Sequence, residues 1–431
     1  MKIRTRPIII DNIILLCVLV ALFTVSLVRY DNNIGSVLTS DPKGYYMYLP
    51  AVFIYGGIHH IPANESYVGL ITNKSGETYP KFTCGTAYCY LPFFLIAHAY
   101  AKIFHLNASG FSPPYCYAIV AAGVCWAVFG LFLLKTLLLR YFSRRTTWLT
   151  ILCITLGTNF YCYATLFVGM SHIYSFALFA AALLLTDSYY KFPSTGKAIL
   201  LSLLLGWIIL IRPTSTAIII FLFLYRVVSF TDLKDRLKFF REQLSHLLIG
   251  VPFFIGIMFP QLVYWKEMSG QWIKYSYQNE RFIYWANPKI ASVLFDAQNG
   301  WLLYSPVLLF LFWGLIMKRK DPRISSLGTA ILLVVITYVF ASWASWSFGG
   351  AFGHRCYIDY YAIFAFPLAI TMENILNAKS YYLKIPLLLV IALFCYYSVG
   401  MATAYFTHGT WDGPGWRWNY GRWLEVIRNT F

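Results

Sequence analysis

The 431-residue chain is 59% apolar and only 12% charged, with a mean hydropathy of +0.61. A water-soluble core of this length is not built from such a composition, so the chain is read as a membrane protein. Its net charge of +17 does not mark a nucleic-acid binder, because the basic residues are not gathered in one solvated patch.

In chain order, the first apolar run, 8–28, follows Lys2, Arg4 and Arg6 and is long enough to cross a bilayer. Its length and the lack of a small-residue cleavage site favour a retained anchor over a signal peptide. Further runs follow at 115–139, 147–167, 172–190, 198–211, 213–230, 245–264, 301–317, 325–342, 358–376 and 385–405. Short basic clusters fall between them: Arg140, Arg144 and Arg145; Lys191 and Lys197; Lys234, Arg236, Lys238 and Arg241; Lys318, Arg319, Lys320 and Arg323; Lys379 and Lys384. Such clusters mark cytoplasmic loops. With the N-terminus inside, about eleven crossings put all of them on that side.

The segment 90–104 resists this threading. If it crossed alone, every later basic cluster would move outside. The stretch 91–104 is therefore expected to lie along or dip into the outer leaflet, making 29–113 one long outer loop with its own interfacial helices. Loops of that length are usually functional. The expected organisation is an all-α integral membrane protein, a single polytopic domain over 1–431. A second large outer loop runs over 265–300, a third outer segment joins two spans at 342–361, and an outer tail covers 406–431. Aromatic residues make up 19% of the chain and gather near the outer boundary, the tail carrying Trp411, Trp416, Trp418 and Trp423. An interfacial belt explains such residues, as does stacking on sugar rings or contact with an isoprenoid tail.

The nine cysteines lie mostly in apolar stretches with no CxxC pair. Cys84 and Cys89 are either a pair on an oxidising face or packed thiols. No ligand cluster supports a divalent metal. Asn64-Glu65-Ser66, Asn73-Lys74-Ser75 and Asn107-Ala108-Ser109 match the glycosylation sequon, which matters only in a host that uses that pathway.

Chemistry concentrates on the outer side. Asp41 opens the run Asp41-Pro42-Lys43-Gly44-Tyr45-Tyr46-Met47-Tyr48, just past the first span. Asp before Pro is a favoured helix start, so a cap is one role for it. A carboxylate at the lipid–water boundary is also suited to take a proton as a general base. Gly44 leaves room for a ligand, and Tyr45 and Tyr46 offer hydroxyls and ring faces. Three basic residues stand outside, where they are less expected: Lys81 in Tyr79-Pro80-Lys81-Phe82, Arg212 in Ile211-Arg212-Pro213, and Arg355 after Gly349-Gly350-Ala351-Phe352-Gly353-His354. Each alone is explained by snorkelling or a local ion pair, Arg355 with Asp359 being an i,i+4 candidate. Together they suit a phosphate, with Arg able to bind two oxygens at once. His172 begins a span on the outer side, and His354 adjoins Arg355. The glycines at 349, 350 and 353 have no strand–helix unit around them and are not a dinucleotide fingerprint.

Over about the first 360 residues this ordered pattern resembles the GT-C glycosyltransferases. The elements that carry the likeness are the early acidic residue Asp41 and the Pro/Lys/aromatic segment at 79–98. The Arg212-Pro213 break and the Gly-rich basic segment from Trp343 to Asp359 complete it. The resemblance implies a multi-span enzyme that moves a sugar from a polyprenyl-phosphate carrier on the non-cytoplasmic face. It implies Asp41 as catalytic base for inverting transfer, and a glycan, lipid or protein as acceptor. Lys81 is similar in position to a phosphate-contacting lysine of the lipid A aminoarabinose transferase branch, but the Glu expected before it is replaced by Pro80. Arg212, Arg355, His354, His172, Tyr45 and Tyr46 are substrate-binding candidates by location. The short outer tail favours a single-sugar donor.

The rival class is a lipid-linked glycan flippase, which is expected to place charges deep in its spans. Asp11, Lys135 and Asp187 instead lie near span ends, which favours the enzyme. A membrane acyltransferase would rely on a histidine such as His98 or His172.

Overall fold

The computed structural model describes residues 5–65, 70–72, 78–277, 280–318, 320, 321, 323, 325–407 and 419–431. Arg319, the sequon at Asn73, and Trp411, Trp416 and Trp418 lie outside the described residues. The chain is an all-α integral membrane bundle. In lipid each backbone N–H and C=O must be satisfied within its own segment, and the apolar runs meet that demand as helices.

The elements are α1 (Thr5–Tyr30), α2 (Asp41–Tyr46), α3 (Tyr48–Pro50), α4 (Gly85–Ile103), α5 (Pro113–Leu138), α6 (Arg144–Gly157), α7 (Phe160–Thr165), α8 (Ser171–Lys191), α9 (Thr195–Ile211) and α10 (Ile218–Phe223). They continue as α11 (Phe230–Glu242), α12 (Leu244–Ser269), α13 (Ile290–Phe295), α14 (Trp301–Tyr304), α15 (Leu309–Met317), α16 (Ser326–Ser342), α17 (Tyr361–Leu376), α18 (Tyr381–Thr407) and α19 (Tyr420–Thr430). Among the described residues five stretches are long and apolar enough to cross a membrane: Ile9–Tyr30, Pro113–Leu138, Ser171–Lys191, Leu244–Ser269 and Tyr381–Phe406. Shorter apolar helices supply the rest of the bundle.

Three of the expected runs are broken, one of them, 213–230, because its α-helix covers only Ile218–Phe223. The run 147–167 divides into α6 and α7 at Thr158 and Asn159, where Ser305 Oγ accepts the Asn159 N–H at 3.0 Å. The run 301–317 divides at Pro306, which has no N–H to give a continuing helix and opens the short 3-10 turn Pro306–Leu308. Helix α8 runs through the middle of the bundle, with 72% of its apolar window buried, whereas the window of α12 is only 11% buried. Exposed Leu248, Val251 and Phe259 on α12, like Ile9, Leu16 and Val20 on α1, are the surface expected against acyl chains.

The segment that resisted threading is part of α4, which starts earlier than expected, at Gly85. It runs antiparallel along the first half of α5. Trp126 Nε1 donates to Cys89 O at 3.1 Å, and His98 Nδ1 lies 2.6 Å from the Tyr115 hydroxyl. An apolar groove of about 710 Å³ opens between α1, α4 and α5, lined by Phe23, Phe93, Ile96, Tyr100, Tyr117 and Ala121 among others. The short antiparallel pair β1 (Leu70–Thr72) and β2 (Thr78–Pro80) leads the chain into Lys81. Cys84 and Cys89 are buried free thiols, so the packed alternative is the one found.

Candidate functional site: a charged centre at one end of the bundle

Helix α2 starts at Asp41 with Pro42 in its first turn. The residue in the cap position is Ser40, whose φ of +56° is unusual for a side-chain-bearing residue and whose hydroxyl makes no cap bond. Asp41 is thus the first helical residue, and its carboxylate leaves the helix altogether. Arg355 Nη2 donates to Asp41 Oδ2 at 2.9 Å, across 314 residues of sequence. The pair is largely but not fully enclosed, with side chains 16% and 20% exposed. Among the described residues, Asp41 Oδ1 takes no hydrogen bond. The turn fits closely: a Cβ on Gly169 would come within 2.8 Å of Pro42 Cβ, so a larger residue there would displace α2.

Arg355 opens the 3-10 turn Arg355–Tyr360. Gly353, at φ +60°, supplies the left-handed step that aims Arg355 back toward α2. The expected i,i+4 pair with Asp359 does not form. In a 3-10 turn residues i and i+3 eclipse, so i+4 is rotated away. Asp359 turns instead to His172, whose Nδ1 lies 2.8 Å from Asp359 Oδ1, and to Arg212, whose Nε is 3.8 Å from Oδ2. Arg212 also reaches His172 Nε2 at 3.0 Å, and its Nη2 donates to Cys356 Sγ at 3.0 Å. The imidazole pattern fits a neutral ring that donates through Nδ1 and accepts through Nε2.

Lys81 forms an ion pair with Glu280 from the second large loop. Its ammonium lies 5.1 Å from the Tyr277 ring centroid and 5.7 Å from that of Phe82. Ser276 Oγ donates to Lys81 O at 2.6 Å, which ties the loop to the segment. Glu280 and Tyr277 were not singled out in the sequence. The only sign was an acid in a tyrosine-rich loop, Tyr275-Ser276-Tyr277-Gln278-Asn279-Glu280. A carboxylate thus stands beside Lys81, although it comes from another loop and not from position 80.

Tyr45 joins the groups together. Its ring is 4.6 Å from Phe82, and Asp41, Arg212, Arg355 and Tyr277 all act on its hydroxyl, which burial pushes well up. Burial likewise pushes Tyr277 up to about 12, with Arg212 opposing and Asp41 and Glu280 adding. Burial opposes the Arg355 charge, but Asp41, Tyr163 and Tyr45 outweigh it and raise its pKa.

Two candidates face elsewhere. Tyr46 donates to Gly110 O and packs edge-on to Phe94 and Phe111. His354 donates from Nε2 to Trp346 O at 3.1 Å and stacks on Phe340, and burial holds it down at about 3. Both look inward and support the turns around them. Among the described residues no group of three or more His, Cys, Asp or Glu side chains gathers. Asp41, Asp359 and Glu280 are each already matched by a cation, so this donor set does not fit a divalent metal.

In sequence the chain matches no family model and no curated protein. Its structure is similar to that of the Archaeoglobus fulgidus oligosaccharyltransferase tethered with an acceptor peptide containing the NVT sequon. The TM-score is 0.51 at 13% identity, covering 97% of this chain and 59% of that one. It is also similar to the oligosaccharyltransferase AglB from Archaeoglobus fulgidus in complex with an inhibitory peptide and a dolichol-phosphate. That match has a TM-score of 0.50 at 15% identity, covering 98% and 60%. ArnT from Cupriavidus metallidurans in the apo state matches at a TM-score of 0.45 and 13% identity, over 90% and 69%. What the chain shares with the oligosaccharyltransferase is the fold, and it spans about three fifths of that protein's length.

Proposed function

We propose that the chain is an inverting glycosyltransferase. It moves a sugar from a polyprenyl-phosphate carrier to a glycan, lipid or protein acceptor on the non-cytoplasmic face, with Asp41 as general base. The observation that carries this reading is the half-open Asp41 carboxylate, held by Arg355 through one oxygen only, within a fold of GT-C type. The solved AglB complex contains a dolichol-phosphate, which suits a carrier of that class here.

In this mechanism Asp41 Oδ1 accepts the proton of the acceptor's nucleophilic group as that group bonds to the sugar's anomeric carbon. The bond from that carbon to the carrier phosphate breaks, and its electron pair leaves with the phosphate. Developing charge on a leaving phosphate is stabilised by preplaced cations, and Lys81, Arg212 and Arg355 stand at this end of the bundle to do it. Tyr45, Tyr277 and Phe82 offer ring faces between the cations and the sugar. The isoprenoid tail would run into lipid alongside the helices.

The test is a panel of polyprenyl-phosphate sugars given to the purified protein in nanodiscs, with wild type and Asp41→Asn side by side. Transfer by wild type alone supports the reading. Full turnover by the variant with its true donor would remove Asp41 from the role of base. Sidedness is tested by a single cysteine at exposed position 145, with exposed Cys17 and Cys125 replaced. Labelling from the cytoplasmic side is expected, and external labelling overturns the threading.

A further inference from the structure

A second polar cavity, of about 310 Å³, lies near the far end of α8. It is lined by Asp187, Tyr190, Lys191, Tyr225, Arg226 and Arg236. Asp187 and His172 are 15 residues apart on one helix, so this cavity is roughly 22 Å from the centre described above.

Its carboxylate is fully committed. Asp187 receives Arg140 Nη1 at 2.5 Å, Lys191 Nζ at 2.9 Å, Tyr225 Oη at 3.2 Å and the Tyr141 hydroxyl. Two guanidinium groups keep donors to spare. Arg226 is held at φ +61° with its amide donating to Ser325 Oγ. Its charge lies 5.5 Å from the Tyr141 ring, and among the described residues it meets no carboxylate. Arg236 stacks at 3.4 Å on the Tyr190 ring and donates from Nη2 to Tyr225 O at 2.7 Å. Its Nη1 is out of solvent with no hydrogen-bond partner. Four cations thus stand around Asp187, with Asp232 acting on Arg236 from the start of α11, and the donors left over are in planar groups that bind phosphate oxygens two at a time.

We propose that this cavity binds one phosphate group, and that the phosphate is the headgroup of an anionic phospholipid. Its position favours a lipid over a soluble ion. Helix α11, which brings Arg236, carries exposed Phe230 (71%) and Leu237 (55%) beside Lys234 and Lys238. Asp232, Asp235 and Glu242 leave the helix close to neutral, and it is its exposed apolar side chains that suit an amphipathic helix lying in the headgroup layer. A lipid that docks there has its acyl chains beside the exposed apolar surface and its phosphate at the cavity mouth.

The full chain is reconstituted in nanodiscs of phosphatidylcholine and phosphatidylglycerol, and the lipid that survives extraction is counted by native mass spectrometry. Wild type is expected to retain one phosphatidylglycerol per chain. Arg226→Gln/Arg236→Gln should retain about tenfold less, and Arg226→Gln alone should lose a part of it while leaving the Arg236–Tyr190 stack in place. The surface pair Arg145→Gln/Lys379→Gln, both exposed and off α11, should retain wild-type levels. Equal retention by wild type and the Arg226/Arg236 variant would overturn the site, as would equal loss in the surface pair. Inorganic phosphate is added as a competitor. Failure to displace the lipid supports the headgroup, while displacement that depends on Arg226 and Arg236 overturns the lipid assignment in favour of a soluble phosphate.

Discussion

The two ends of the bundle each hold buried acids among cations, but they are finished differently. Asp187 has both oxygens filled by four donors, while Asp11 takes Arg144 and the Trp148 indole, each at 2.7 Å, on a single oxygen. Asp41 meets one guanidinium through one oxygen and leaves the other open. A filled carboxylate fixes helices in place, whereas an open one has capacity left for a proton. Charge alone therefore does not distinguish structure from chemistry in this molecule. Between Asp187 and Asp41, what differs is the number of acceptor sites left unused.

The sharpest way to break that comparison is to neutralise each acid in turn. Asp41→Asn should cut transfer by about a thousandfold, within the range for a lost general base, with folding and insertion unchanged. Turnover per folded molecule is the measurement. Asp187→Asn should do the reverse. Removing one partner of a buried ion pair should destabilise by about 3 kcal/mol, seen as a lower melting temperature in detergent with unchanged turnover per folded molecule.

Arg355→Lys keeps the charge but loses the planar fork. Transfer should fall about a hundredfold, or ~2.7 kcal/mol in the barrier. A variant at wild-type rate would mean that Arg355 merely neutralises Asp41. Lys81→Met should lower kcat by about tenfold, ~1.4 kcal/mol, because it removes one of the cations that stabilise charge developing on the leaving phosphate. The smallest effect belongs to the Lys81–Glu280 pair itself. Both side chains are partly open to solvent, at 23% and 38%, so a double-mutant cycle on stability should give a coupling below about 1 kcal/mol.

Much of the bundle was legible because spans are local: an apolar run and its flanking charges carry the whole message. The breaks at Asn159 and Pro306 were not, since a run can stay apolar while its helix stops. At the site, Asp41, Lys81, Arg212 and Arg355 were legible as charges in unusual places. Their partners were not. Arg355 pairs across 314 residues and Lys81 across 199, distances at which sequence spacing says nothing. The one pairing that spacing did suggest, Arg355 with Asp359, fails because the local geometry is 3-10 rather than α. Glu280 was hidden by its setting in a loop whose aromatic residues read as an interfacial belt.

The pairing at the charged centre is one to one: Asp41 with Arg355, Asp359 with Arg212, Glu280 with Lys81. Built this way, the empty site carries no large surplus of charge for stray anions to neutralise. An incoming phosphate would have to enter as a replacement counter-ion, sharing or taking over a cation that an internal carboxylate now holds. Glu280, the most exposed of the three acids and the one carried on a separate loop, is the natural one to give way. Affinity for a phosphate donor would then be set by a difference between two anions rather than by attraction to one.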